Sequence, residues 1–250
     1  MSHDIELKLL YEIEELKRKV NSLEGNIQQK IPTYQYSKIR DSDLKTLVDI
    51  EKNLDNSIFN AWFNCSIEIE DSIIFFLNNL IEDNKVLIDS YNEEDLKINF
   101  IVPILNKIRF KSFERKMRDF YESQLTYKTD KFILNGTIDF VVSEGLVESK
   151  KPYFFIQEFK RSEEYGNPRP QLLAELISAV ELNQWHFIKG AYIIGGNWHF
   201  AILEKLDINK YQYFISQNFD ATKLEDLKLI YKNLLFIKHE IIAMIESSQS

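Results

Sequence analysis

Apolar positions recur at spacings of four and three through the first thirty residues, at Leu9, Ile13, Leu16, Val20, Leu23 and Ile27. Ile13, Val20 and Ile27 take heptad position a, and Leu9, Leu16 and Leu23 take d. β-branched a with Leu at d favours a parallel two-stranded coiled coil. The pattern predicts a coiled-coil helix over 1–30 and a homodimer formed through it. Three heptads are few, and the stripe could instead pack on the domain behind it. Gly25 and Pro32 end the helix and open a linker.

Residues 31–90 read as a helical linker or brace. One helix is predicted from about 43 to 63, with Leu44, Leu47, Val48, Ile50 and Leu54 as its apolar positions. A buried helix is predicted over 71–81, where Ile73 to Leu77 and Leu80 form a nearly continuous run. Asn92 is a fitting N-cap, with Glu93, Glu94 and Asp95 in the first turn. The helix it opens carries Leu96, Ile98, Phe100, Ile101, Ile104 and Leu105, and Pro103 predicts a kink or break. The period then changes to that of strands at FILNGTIDFVV (132–142) and YFFIQEF (153–159). A helix follows over 168–182. Strands over 191–194, 198–203 and 211–215 come next, the first two joined at Gly195-Gly196-Asn197 as a hairpin. A helix over 224–245 closes the chain.

Composition narrows the field. Of 250 residues, 44% are hydrophobic, with 7 Gly and 5 Pro, which excludes a disordered or collagen-like chain. The net charge of −8 counts against a sequence-independent nucleic-acid coat protein. One run is basic: Lys97, Lys107, Arg109, Lys111, Arg115, Lys116 and Arg118, opposed only by Glu114. Such a run is either a phosphate-facing patch or a solvated surface. Cys65 is the only cysteine, so neither an internal disulfide nor a Cys-rich zinc site is expected. The charged start and the absence of a long apolar run predict a cytoplasmic protein without membrane association.

Three residues carry candidate chemistry. Asp139 closes the strand GTIDF, and nineteen positions on Glu158 and Lys160 close FFIQEFK. Residues i and i+2 of a strand share a face, so Glu158 and Lys160 project together while Phe159 turns to the apolar side. If the two strands are neighbours, Asp139 joins them. Two nearby carboxylates repel, and a divalent cation relieves that repulsion. Mg²⁺ or Mn²⁺ suits a site of one or two carboxylates plus a phosphate, with the Phe159 backbone carbonyl as a further ligand. Lys160 could orient a water or stabilise charge on the phosphate. A bare E-x-K also occurs by chance, as a surface ion pair.

GTIDF, FFIQEFK and the helix opening NPRPQLLAE together resemble the PD-(D/E)XK nuclease superfamily. The likeness is greatest to the N-terminal nuclease domain of type I restriction enzyme motor subunits and related stand-alone proteins. It spans residues 93 to 216 and leaves the first ninety unexplained. It implies a restriction-endonuclease-like α/β core over 91–250, a central mixed sheet flanked by helices. It also implies Mg²⁺- or Mn²⁺-dependent hydrolysis of phosphodiester bonds, with DNA the expected substrate. By resemblance Glu93, or Glu94 beside it, joins the metal site, and Gln171 takes the place of a glutamine found after the lysine. The proline that names the superfamily is absent before Asp139, where Thr137-Ile138 stand. No GxxxxGK[ST] motor motif is present.

The expected function is a metal-dependent deoxyribonuclease with Asp139, Glu158, Lys160, Glu93 and Gln171 as catalytic residues. Restriction of foreign DNA is its expected setting. The rivals are an inactive nuclease fold that binds nucleic acid and a coiled-coil scaffold that binds protein. Arg161 and Arg169 are candidate phosphate contacts or solvated side chains. His186, His199, Trp185 and Trp198 read as packing or surface residues.

Overall fold

The computed structural model describes residues 12–17, 19, 31–162 and 167–248. Of the six heptad positions, Leu9, Val20, Leu23 and Ile27 lie outside the described residues. Ile13 and Leu16 are described and exposed.

In chain order the elements are β1 (Thr33–Gln35), α1 (Asp41–Leu47), β2 (Asp49–Lys52), α2 (Asn60–Phe63), α3 (Asp71–Asn84) and α4 (Glu93–Leu96). A π-helical turn (Lys97–Ile101) leads into α5 (Val102–Ile108). Then come β3 (Met117–Lys128), β4 (Ile133–Glu144), β5 (Lys150–Lys160), α6 (Pro168–Asn183), β6 (Phe187–Ile194), β7 (Asn197–Asp207), β8 (Lys210–Ile215), β9 (Phe219–Asp220) and α7 (Leu224–Ser248). The fold is α/β, a mixed sheet with helices on both faces. Strand order is β1-β4-β5-β6-β7-β8-β2, with β3 on the other edge of β4 and β9 on β7. The hairpin expected at Gly195-Gly196 is present as β6–β7, antiparallel.

The expected single helix over 43–63 is corrected. It stops at Leu47, and Asp49–Lys52 pairs in parallel with β8. Ile50 is buried in that strand, and Leu54 lies in a loop, exposed. Residues 31–90 are thus not only a helical brace, since β1 and β2 both join the main sheet. Pro103 sits at the N-terminal end of α5, where no intrahelical N–H is required. The π turn before it absorbs the break.

Two apolar cores sandwich the sheet. On one face α3, the π turn, α5 and α7 bury Leu77, Phe100, Ile104, Leu234 and Ile237 against Phe140, Phe155 and Phe159. Trp62 Nε1 donates to the Asn233 carbonyl at 2.9 Å and ties α2 to α7. On the other face α6 packs Leu172, Leu173, Leu176 and Ile177 with Val141, Ile156 and Ile188. Gly190 on β6 lets α6 approach closely: a Cβ there would stand 2.8 Å from the Ile156 carbonyl oxygen and 3.0 Å from Leu176.

One irregularity of the sheet makes the site. On the edge of β4 that faces β5, residues 133–135 pair with β1 and residues 140–144 pair with β5. The stretch between them pairs with neither, so β4 and β5 part beyond Phe140 and Gln157. Asp139 and Glu158 are the next residues along each strand.

Candidate functional site

Where the β4–β5 ladder ends, the Asp139 side chain continues it. The Phe159 N–H donates to Asp139 Oδ2 at 2.9 Å. Strand alternation turns Phe159 into one core and leaves Glu158 and Lys160 on the face covered by α6. Lys160 Nζ lies 2.9 Å from Glu158 Oε1 and donates to the Phe159 carbonyl at 2.9 Å. It also lies 3.6 Å from Glu93 Oε1 at the start of α4. Asp139, Glu158, Lys160 and Glu93 therefore share one locus. Of the adjacent glutamates, Glu93 is the one paired with Lys160, while Glu94 acts through its charge on Lys97.

Gln171 arrives indirectly. It is buried on α6 and its Nε2 donates to Glu175 Oε1 at 3.2 Å. Glu175 is a site residue that sequence reasoning missed. It is fully buried, and its Oε2, like Glu158 Oε2, has no hydrogen-bond partner. Burial raises the Glu158 carboxyl well above the usual carboxylate range; Glu175 and Asp139 push it further, and Lys160 opposes them. Burial raises Glu175 likewise, against the Gln171 hydrogen bond, with Asp139 adding to the rise. Burial alone would lower Lys160, but Glu158, Asp139 and Glu93 outweigh it and raise its pKa. The signal for Glu175 is present in the sequence: α6 is apolar on nearly every side, and Gln171, Glu175 and Ser178 are polar exceptions one turn apart.

Lys97 was also missed, being read as part of the basic run. It is buried, with its ammonium on Glu122 and 3.7 Å from Asp139 Oδ1. It lies 5.6 Å over the Phe159 ring. The rest of the run is not gathered here. Arg115 pairs with Glu246, and Arg118 is spent on the carbonyls of Asp119 and Leu146.

Arg169 pairs with Asp41 at 2.5 Å. Arg161 lines a polar cleft of about 660 Å³ with Ser162, Gly195, Gly196 and Leu96, beside Lys160 and Lys97 in sequence. Trp198 is buried, and His199 stacks on Tyr192. A larger cavity of about 920 Å³, holding Trp185 and His186, opens at Lys151 and Pro152. That is the other end of β5 from Lys160, roughly 25 Å away at about 3.3 Å per strand residue, so it is separate from this locus.

The donors at the locus are oxygens: carboxylates of Asp139, Glu158 and Glu93 and the Phe159 carbonyl. Hard divalent cations take such donors, and an unpartnered buried carboxylate oxygen suits one. Among the described residues no three His, Cys, Asp or Glu side chains by themselves form a cage for a metal ion. Mg²⁺ characteristically relies on one or two carboxylates with waters and phosphate oxygens. No described helix is long and apolar enough to cross a membrane. No protein-family model matches the chain, and no curated protein matches it in sequence.

Proposed function

We propose that the chain is a metal-dependent nuclease with a restriction-endonuclease-like core that hydrolyses phosphodiester bonds of DNA. One observation carries the reading. At the point where two neighbouring strands part, Glu158 meets the Lys160 ammonium and Asp139 accepts from the Phe159 N–H between them, while a second Glu158 oxygen stays buried and unpartnered. A purely structural ion pair gives no reason to bury that oxygen, because an unsatisfied buried polar group is unfavourable.

In this reading Asp139, Glu158 and the Phe159 carbonyl hold Mg²⁺ or Mn²⁺, with Glu93 assisting from α4. The cation supplies Lewis acidity toward the scissile phosphate. Lys160 exchanges its bonds to Glu158 and Phe159 for bonds to the phosphate, where its charge favours the pentavalent arrangement. Gln171 keeps Glu175 oriented behind Glu158. The heptads of residues 1–30 supply a dimer that sets two such sites on a duplex.

The test compares wild type with Asp139→Ala, Glu158→Ala and Lys160→Ala on supercoiled, linear and single-stranded DNA, with Mg²⁺ or Mn²⁺. Cation-dependent cleavage by wild type and its loss in all three variants is the expected result. Binding of DNA without cleavage would establish the rival reading, an inactive nuclease fold. Cleavage undiminished in the variants would remove the site.

A further inference from the structure

We infer that Lys97 is a positioning residue for Asp139, held by Glu122, and that this clamp is required for a divalent cation to bind. The inference rests on the reading of the site as cation-dependent.

Four observations converge. Lys97 is a buried lysine on the π turn, and lysine is seldom buried without a purpose-built partner. Its ammonium stands between two carboxylates, bonded to Glu122 and 3.7 Å from Asp139 Oδ1. Asp139 is thereby fixed from both sides, since its Oδ2 already accepts from the Phe159 N–H. Finally, Glu122 occupies φ +51 in the middle of β3. Its neighbours Tyr121 and Ser123 pair with Phe140 and Ile138, which places Glu122 opposite Asp139. A non-glycine residue takes left-handed backbone within a strand only where its surroundings impose it. Here the backbone departs from the ladder opposite the candidate ligand, and the Glu122 side chain reaches Lys97.

The chemistry follows from the geometry. A carboxylate hydrogen-bonded at one oxygen and flanked by an ammonium at the other is held near one plane, and each oxygen retains a lone pair for a cation. Without Lys97, Asp139 turns about its side-chain torsions and presents no fixed ligand. Groups that orient a metal's ligands in this way typically change metal affinity 10–100-fold when removed.

The experiment measures Mn²⁺ binding to the full chain by the electron paramagnetic resonance of free Mn²⁺. Wild type is compared with Lys97→Met, Glu122→Gln and the double variant, with melting temperature recorded for each. The clamp predicts that both single variants bind Mn²⁺ more weakly, Lys97→Met by about 10–100-fold, and that the double variant is no weaker than Lys97→Met. A field effect alone predicts opposite signs: loss of a nearby positive charge tightens cation binding, and loss of a negative one weakens it. Unchanged or tighter binding by Lys97→Met overturns the inference. Should that variant not fold, Lys97→Gln, which keeps a donor toward Glu122, replaces it with the same two outcomes. Wild type that binds no Mn²⁺ defeats the cation reading itself, and this inference with it.

Discussion

Glu175 on α6 raises the pKa of Glu158 on β5, and each of these buried carboxyl groups keeps one oxygen without a hydrogen-bond partner. Both groups are held well above the usual carboxylate range by burial. A carboxyl whose folded pKa lies above its unfolded value of 4.5 contributes stability that is complete below 4.5 and is lost as pH rises toward the folded pKa. Glu175→Gln keeps the acceptor for Gln171 and removes the ionisation. Its expected effect at pH 8 is a gain on the order of 1 kcal/mol, or about 2–4 °C in melting temperature. The gain should shrink as pH falls toward 4.5, and thermal melts of both proteins across pH check it.

A divalent cation should stabilise the wild type by relieving the same repulsion. At a concentration of 100 Kd, binding to the folded state alone adds about 2.7 kcal/mol. Melting with Mg²⁺ or Mn²⁺ against a chelator should show an upward shift, and Asp139→Asn should abolish it. A shift of equal size in that variant would place the cation elsewhere.

Lys160 should separate turnover from binding. Lys160→Met is expected to lower cleavage by about 10²–10³-fold, the usual effect of removing one charge-stabilising donor. Mn²⁺ binding should survive in that variant, because Glu158 Oε1 and the Phe159 carbonyl are released from the ammonium. Cleavage rates and Mn²⁺ titrations on the same preparation distinguish the two effects.

Gly190→Ala tests the packing behind the site. The added methyl meets the Ile156 backbone at 2.8 Å, and a strand backbone two residues from Glu158 has little room to yield. Overpacking of this kind costs about 1–3 kcal/mol. Urea denaturation should show the loss, and a neutral result would mean that the β5 backbone at Ile156 can yield.

Much of this arrangement was legible in the chain. The alternation in YFFIQEFK placed Glu158 and Lys160 on one face, and the GTIDF strand proved to be its antiparallel neighbour. Strands with mixed faces were harder to read. In β3, MRDFYESQLTYK intersperses charged and apolar residues because one edge of it carries no main-sheet strand. In β2, DIEK offers a single buried residue, Ile50. Lys97 and Glu122 were invisible as a pair, since only the register of β3 on β4 sets Glu122 opposite Asp139. Glu175 was legible only against its helix: a glutamate one turn from Gln171 looks like ordinary helix surface unless the apolar residues on nearly every other side mark α6 as a buried helix.

The parting of β4 from β5 also gives the protein a built-in reporter. The Phe159 amide is tied to a side chain rather than to a neighbouring strand. Its hydrogen–deuterium exchange therefore follows what Asp139 is doing, at a single backbone position, with no substrate or turnover needed to observe it.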